Sequence, residues 1–140
     1  MRLYIAGPMT GIPQFNYPKF VLMAAELRAA GHDAVSPVEL DDPEIQAISL
    51  ASPDGNLDTI KSHGQSWGDF LARDVKQLAD DGIEGVVVLP GWEYSRGARL
   101  ETFVAYLCEL PIYSWEYGGL YRLPHLELVD AWGEGVFINA

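Results

Sequence analysis

Carboxylates are the side chains of this chain best placed to do chemistry, and Glu101 is the first of them. It closes the stretch Leu89-Pro-Gly-Trp-Glu-Tyr-Ser-Arg-Gly-Ala-Arg-Leu-Glu101, which joins the strand-like run Gly85-Val-Val-Val-Leu89 to a helix pattern that ends at Glu109. Ser95 fits the N-cap of that helix, where a hydroxyl accepts a bond from a free amide of the first turn. Gly97 lets a ligand come close to the backbone, and Glu101 lies one turn further along on the same face. Open α/β sheets bind their substrates beside such strand-to-helix turns. Glu101 stands among Leu100, Phe103, Val104 and Leu107, bordering the buried side of the helix. An unpaired carboxylate there is expensive, so it needs either a catalytic role or a salt bridge to an arginine at the helix start.

Other groups gather at the same strand ends. Arg96 and Arg99, three apart, can clamp an anion or simply be solvated. Trp92 offers either a flat wall for a heterocycle or a core side chain. Tyr4 lies in the first strand, and Gly7-Pro8-Met9-Thr10-Gly11 follows it. That loop reads as a backbone-lined cradle or as an ordinary tight turn, and it matches neither the dinucleotide nor the P-loop fingerprint. On the helix that opens at Trp67, Asp69 is near enough to the start to be explained by the helix dipole. Asp74 is mid-helix beside the apolar face, either solvated or paired with Lys76 or a neighbouring arginine. His32, His63 and His125 are scattered, so neither a metal nor another cofactor is expected. His32 follows Gly31 at a helix end and reads as a charge–dipole cap. No GxSxG elbow is present.

The elements that must position these groups alternate. Arg2 to Ala6 is a strand, and Pro18 to Ala30 is an amphipathic helix with Phe20, Met23, Ala24 and Leu27 inward, Asn16 as cap and Gly31 as terminator. Asp33 to Ser36 is a short strand stopped by Pro37. Residues 39–65 read as a long connection with a weak apolar patch at Ile45 to Leu50, either a functional flap or a mobile insertion. Trp67 to Ala79 is a helix burying Phe70, Leu71, Val75 and Leu78. The strand Gly85 to Leu89, the helix Ser95 to Glu109 and the strand Pro111 to Trp115 follow. The tail 116–140, rich in glycine and aromatic residues, ends in Gly135-Val-Phe-Ile138, a candidate edge strand. The pattern predicts one α/β domain, a mostly parallel sheet wound on both faces in a flavodoxin- or Rossmann-like three-layer α/β/α arrangement.

Composition excludes several classes. The chain has 140 residues and a net charge of −11, with nine Lys and Arg in all. Binding to duplex phosphates needs a basic face, so polymeric nucleic acid is not expected as a partner. No apolar run approaches the ~20 residues of a membrane span. The first residues run straight into a strand pattern rather than a secretory signal. The single cysteine, Cys108, excludes an internal disulfide, suits a reducing cytoplasm and is expected to be buried.

In these residues the chain resembles the nucleoside 2-deoxyribosyltransferase-like superfamily. It is most similar to small, often phage-borne members that open on Tyr-Ile-Ala-Gly-Pro-Met-Thr-Gly and later carry Leu-Pro-Gly-Trp-x-x-Ser-x-Gly-Ala-x-x-Glu, here Tyr4 to Gly11 and Leu89 to Glu101. The resemblance covers about residues 1–38 and 67–115. It implies cleavage of the N-glycosidic bond of 2′-deoxynucleosides or their 5′-monophosphates. In the deoxynucleotide hydrolases a Ser-x-Gly-x-x-x-Glu turn supplies a phosphate-contacting serine and the catalytic glutamate, which maps to Ser95, Gly97 and Glu101. An aspartate in an x-Asp-x-x-x-Leu helix maps to Asp74 rather than Asp69, and a strand tyrosine to Tyr4. The hydrolases' arginine-bearing glycine-rich loop is replaced here by Pro8-Met9-Thr10-Gly11.

The resemblance thus implies a small deoxynucleoside or deoxynucleotide as partner. Glu101 attacks or stabilises C1′, Asp74 orients the sugar or relays a proton, and Trp92 flanks the base. Ser95 holds a phosphate or 5′-hydroxyl, and Gly7, Pro8 and Met9 line the substrate. A homodimer or higher homo-oligomer is expected, since related sites are shared between subunits. The rival classes are a non-catalytic nucleotide binder using the same pocket, and an interaction module docking through the aromatic tail Trp115, Tyr117, Tyr121, Trp132 and Phe137.

Overall fold

The computed structural model describes residues 1–80 and 82–133. Its centre is a sheet in which β1 (Arg2–Ala6) pairs in parallel with β2 (Asp33–Val35) on one side and with β3 (Gly85–Val88) on the other. β4 (Ile112–Glu116) joins β3 in parallel, and β5 (Gly119–Arg122) closes the edge antiparallel to β4. The order is therefore β2-β1-β3-β4-β5.

The apolar runs of β1 and β3 are continuous because both faces of the sheet are covered. Leu3, Ile5, Val87 and Leu89 point into one core with Phe20, Ala24 and Leu27 of α1 (Tyr17–Ala29). Tyr4, Ala6, Val86 and Val88 point into a second core, with Leu78 of α5 (Trp67–Asp80), Ala98 and Ala105 of α6 (Arg96–Leu107), and Leu128 and Trp132 of α7 (His125–Trp132). Helices thus lie on both sides of a mostly parallel sheet, as the alternation predicted.

Four expectations need correction. Asn16 makes no capping bond; its backbone is left-handed, φ 62°, and its side-chain amide donates to the Pro8 carbonyl at 2.9 Å. Asparagine tolerates that conformation better than most residues. Ser36 is not the end of β2, because Pro37 opens a new helix with its fixed φ. Residues 39–65 are not a loop: α2 (Pro37–Leu40), α3 (Pro43–Ala51) and α4 (Leu57–Lys61) fill them. Asp42 caps α3 through the Ile45 amide at 2.9 Å, and Asn56 caps α4 through the Asp58 amide at 2.9 Å. Cys108 is exposed, because it closes α6 one turn beyond the buried Ala105, where the chain turns away from the core.

The tail forms more than was expected. Tyr117 (φ 51°) and Gly118 (φ 73°) make a left-handed two-residue turn that folds β5 back on β4. The candidate strand at 135–138 and Phe137 lie outside the described residues. The tail aromatics divide: Trp132 is buried with its indole N–H on Thr102 Oγ1 at 3.0 Å, whereas Tyr117 and Tyr121 are exposed. Among the described residues no helix is long and apolar enough to cross a membrane.

Candidate active site

A cavity of about 820 Å³ opens beyond the C-terminal ends of β1 and β3. It is lined by the loop after β1, the turn after β3, the first turns of α5 and α6, Asp41 after α2, and parts of α3 and α4. This is the switch-point crevice of an open α/β sheet, where neighbouring connections part to opposite faces.

Glu101 is buried at 6% exposure and lines this cavity. The Tyr4 hydroxyl, fully buried in the middle of β1, donates to Glu101 Oε2. Glu101 carries no salt bridge among the described residues, so the arginine partner left open by its position does not occur. Burial raises its pKa from 4.5 to about 8, the nearby Asp74 charge adds to the rise, and the Tyr4 bond and Arg73 oppose it. Burial and the charges of Glu101 and Asp74 also hold the Tyr4 phenol far above its ordinary range, so it remains a donor.

Asp74 also lines the cavity, and here the ion-pair alternative is realised. Its Oδ1 accepts from Arg73 Nη2 at 2.9 Å and from Arg73 Nε at 3.0 Å. Burial still raises Asp74, to about 6, with the Arg73 charge opposing and the Asp41 charge adding. The two carboxyls titrate as an interacting pair, with Glu101 the more reluctant to ionise. A pair of acids whose environments push them apart is an arrangement able to hold one proton and one negative charge near neutrality.

Arg73 reaches further. Its Nη1 lies 2.6 Å from Asp41 Oδ1 and its Nη2 donates to the Pro37 carbonyl at 3.2 Å. The Tyr17 hydroxyl donates to the other oxygen of Asp41. A guanidinium serves here because its planar fork can satisfy two carboxylates at once. This chain of charges ties α5 to the segment containing α2–α4. Asp69, by contrast, makes a reciprocal cap with Ser66: the Ser66 amide donates to Asp69 Oδ2 at 2.9 Å and the Asp69 amide to Ser66 Oγ at 3.1 Å.

Ser95 caps α6, its Oγ accepting from the Ala98 amide at 3.2 Å, and it lines the cavity with Arg96 and Gly97. Arg96 lies over the Trp67 ring at 5.6 Å, while Arg99 is not part of the cavity wall, so the two do not form a clamp there. Gly7, Pro8, Met9 and Thr10 are in the wall. A Cβ on Gly7 would come within 2.7 Å of Leu89 Cβ, so this glycine serves the close approach of two strand ends. Trp92 is packed in the second core and is absent from the wall; the indole at the cavity is that of Trp67.

Sequence reasoning did not find Asp41, Tyr17 or Trp67, and it reached Arg73 only as an arginine neighbouring Asp74, not as a bridge to Asp41. Nothing local to Asp41-Asp42-Pro43 distinguishes Asp41 from a turn residue. Glu101 meets Tyr4 across 97 positions, a contact made only by the parallel pairing of the sheet.

Fold and site together define an open α/β protein with paired, differently tuned carboxyls at the sheet's switch point. The chain belongs to the family described as Domain of unknown function (DUF4406), whose model matches residues 1–114. The match runs through residues 39–66, so that segment is part of the family domain, although the resemblance did not extend to it. No curated protein and no solved structure matches the chain.

Proposed function

We propose that the protein cleaves, or exchanges the base at, the N-glycosidic bond of a 2′-deoxynucleoside or its 5′-monophosphate, within a flavodoxin-like nucleoside 2-deoxyribosyltransferase-like fold. The observation that carries this reading is Glu101: a buried carboxyl at a large cavity, held by Tyr4 and, among the described residues, paired with no cation. Proteins seldom retain such a group without a use for it.

In the proposed reaction a Glu101 oxygen bonds to C1′ as the C1′–N bond breaks, and the electron pair leaves on the base. Asp74 positions the sugar or relays a proton to the base nitrogen. Water then adds at C1′, gives up a proton and releases the Glu101 carboxylate; a second base in place of water gives transfer. Positive charge developing on the sugar draws Glu101 towards its anion, offsetting the burial that favours its protonated form. Tyr4 holds the oxygen that does not attack. Ser95 and the first amides of α6 face the 5′ end of the substrate, and two copies of the chain assemble around their sites.

The test is incubation with deoxynucleosides and their monophosphates, with free base followed by chromatography. Release by the wild type and none by Glu101→Ala is expected. No release by either, or equal release by both, refutes the assignment. The realised Arg73–Asp74 pair favours one other reading, a non-catalytic nucleotide binder in which Asp74 is structural. Thermal stabilisation by the same compounds without turnover selects that reading.

A further inference from the structure

Glu101 and the cavity's main apolar wall come from opposite faces of the sheet. Glu101, Ser95 and Arg96 belong to α6, which packs with the second core. Phe15, Ile45 and Ile60 belong to the first core, with Leu57 and Phe70 packed against it, and all five line the cavity. The polar side chains on that second wall are already occupied. Asp41 is held by Tyr17 and Arg73, and Ser49, at 1% exposure, is bonded to Tyr17. No asparagine or glutamine side chain lines the cavity among the described residues. An unsubstituted base presenting its polar edge here gives up water without replacement.

The backbone reinforces this wall at a cost. Gln14, Phe15 and Asn16 are three successive non-glycine residues in the left-handed region, with φ 58°, 49° and 62°. Such residues persist only where their surroundings over-determine them, commonly at ligand clamps. The surroundings here are the Gln14 amide on the Ser52 carbonyl at 2.8 Å and the Gln14 side chain on the Leu50 carbonyl at 3.2 Å. Both acceptors lie at the end of α3, so the segment carrying Ile45, Leu57 and Ile60 also holds Phe15 in place. At about 820 Å³ the cavity is in the upper part of the roughly 300–1,000 Å³ range of small-molecule sites. A deoxyribose with a bare pyrimidine leaves much of it unfilled.

We propose that the leaving base carries an apolar substituent, as in a 5-alkylpyrimidine deoxynucleoside, and that the wall formed by Phe15, Ile45, Leu57 and Ile60 selects it. The inference rests on the proposed function for the word "leaving", while selection itself is a binding property. The probes are 2′-deoxyuridine and its 5-methyl, 5-ethyl and 5-propyl derivatives. Affinity is read calorimetrically on Glu101→Gln, and kcat/KM on the wild type. Each added carbon should tighten binding about three- to fourfold, and kcat/KM should rise in parallel. Leu57→Thr, at a half-buried position that can be changed without emptying the core, should flatten the series; Ile60→Thr should do so more strongly if it folds.

Affinity that rises with alkyl length without turnover keeps the inference and overturns the catalytic reading. Turnover of 2′-deoxyuridine with a flat or falling series keeps the catalytic reading and overturns the inference. A rising series unchanged in Leu57→Thr and in folded Ile60→Thr overturns the assignment of the wall. Failure of every probe to bind overturns the inference outright.

Discussion

The two sides of the cavity were written into the sequence in different ways. The α6 side is local: cap, glycine and carboxylate follow one another within Ser95 to Glu101, and their spacing alone puts them on one face. The α2–α4 side is dispersed, its lining residues Asp41, Ile45, Leu57 and Ile60 separated by turns that look like loop. The first side carries the candidate chemistry and the second carries shape and electrostatic support. A segment that reads as an insertion can therefore be half of a site, joined to the rest through Arg73 and Tyr17 on Asp41 and through the backbone amides of Gly11 and Gln14.

The comparison breaks most visibly at Glu101. Glu101→Ala should lower base release by on the order of 10⁴-fold or more, with the folded structure retained by circular dichroism. No substitution on the α2–α4 side should approach that loss, and one that did would place chemistry there.

Arg73→Met tests whether charge or apolar packing holds the dispersed side. It leaves Asp41 and Asp74 buried without their partner. With the Arg73 side chain 29% exposed, the expected cost is about 2–4 kcal/mol, below that of a fully buried pair. Urea unfolding measures it, and a cost under about 1 kcal/mol would assign the tie to the apolar wall alone.

A pH series sharpens the contrast at smaller amplitude. Glu101 and Asp74 both bind their protons more tightly folded than unfolded, with pKa values raised from 4.5 to about 8 and from 3.8 to about 6. Their contribution is most favourable below the unfolded values and is lost as pH rises towards 8. The Tm should therefore be several degrees lower near about pH 8.5 than near about pH 5.5, and Glu101→Gln should remove most of that difference. Activity should move oppositely, rising with pH as Glu101 ionises.

The smallest effect is expected at the cap. Ser95→Ala removes the acceptor for the Ala98 amide and should cost about 1 kcal/mol in thermal or urea unfolding. A cost near zero would mean that water or a ligand satisfies that amide instead.

Legibility followed the range of the interactions. β1 was read to its observed ends and α5 to within one residue, because period and burial are properties of a short window. The inward face of α1 was legible for the same reason. Trp92 was misplaced as a flank of the base because an indole in a turn faces core or cavity according to what packs on it. Asn16 misled because a good capping residue is equally suited to a left-handed bend. Residues 39–66 gave weak signals because their helices are short and cross-braced by distant partners such as Arg73 and Gly11, whose amide donates to the Gly55 carbonyl at 2.9 Å.

By itself the sequence determined the alternation of strands and helices, the two-faced burial of β1 and β3, and the placing of Ser95, Gly97 and Glu101 on one turn. These follow from backbone geometry and side-chain period, which act over a few residues. Only the tertiary structure decided that Tyr4 holds Glu101, that Arg73 spans Asp41 and Asp74, and that α3 and α4 wall the cavity. Those contacts join segments tens of residues apart, and they form only once the sheet order has fixed which strand ends are neighbours.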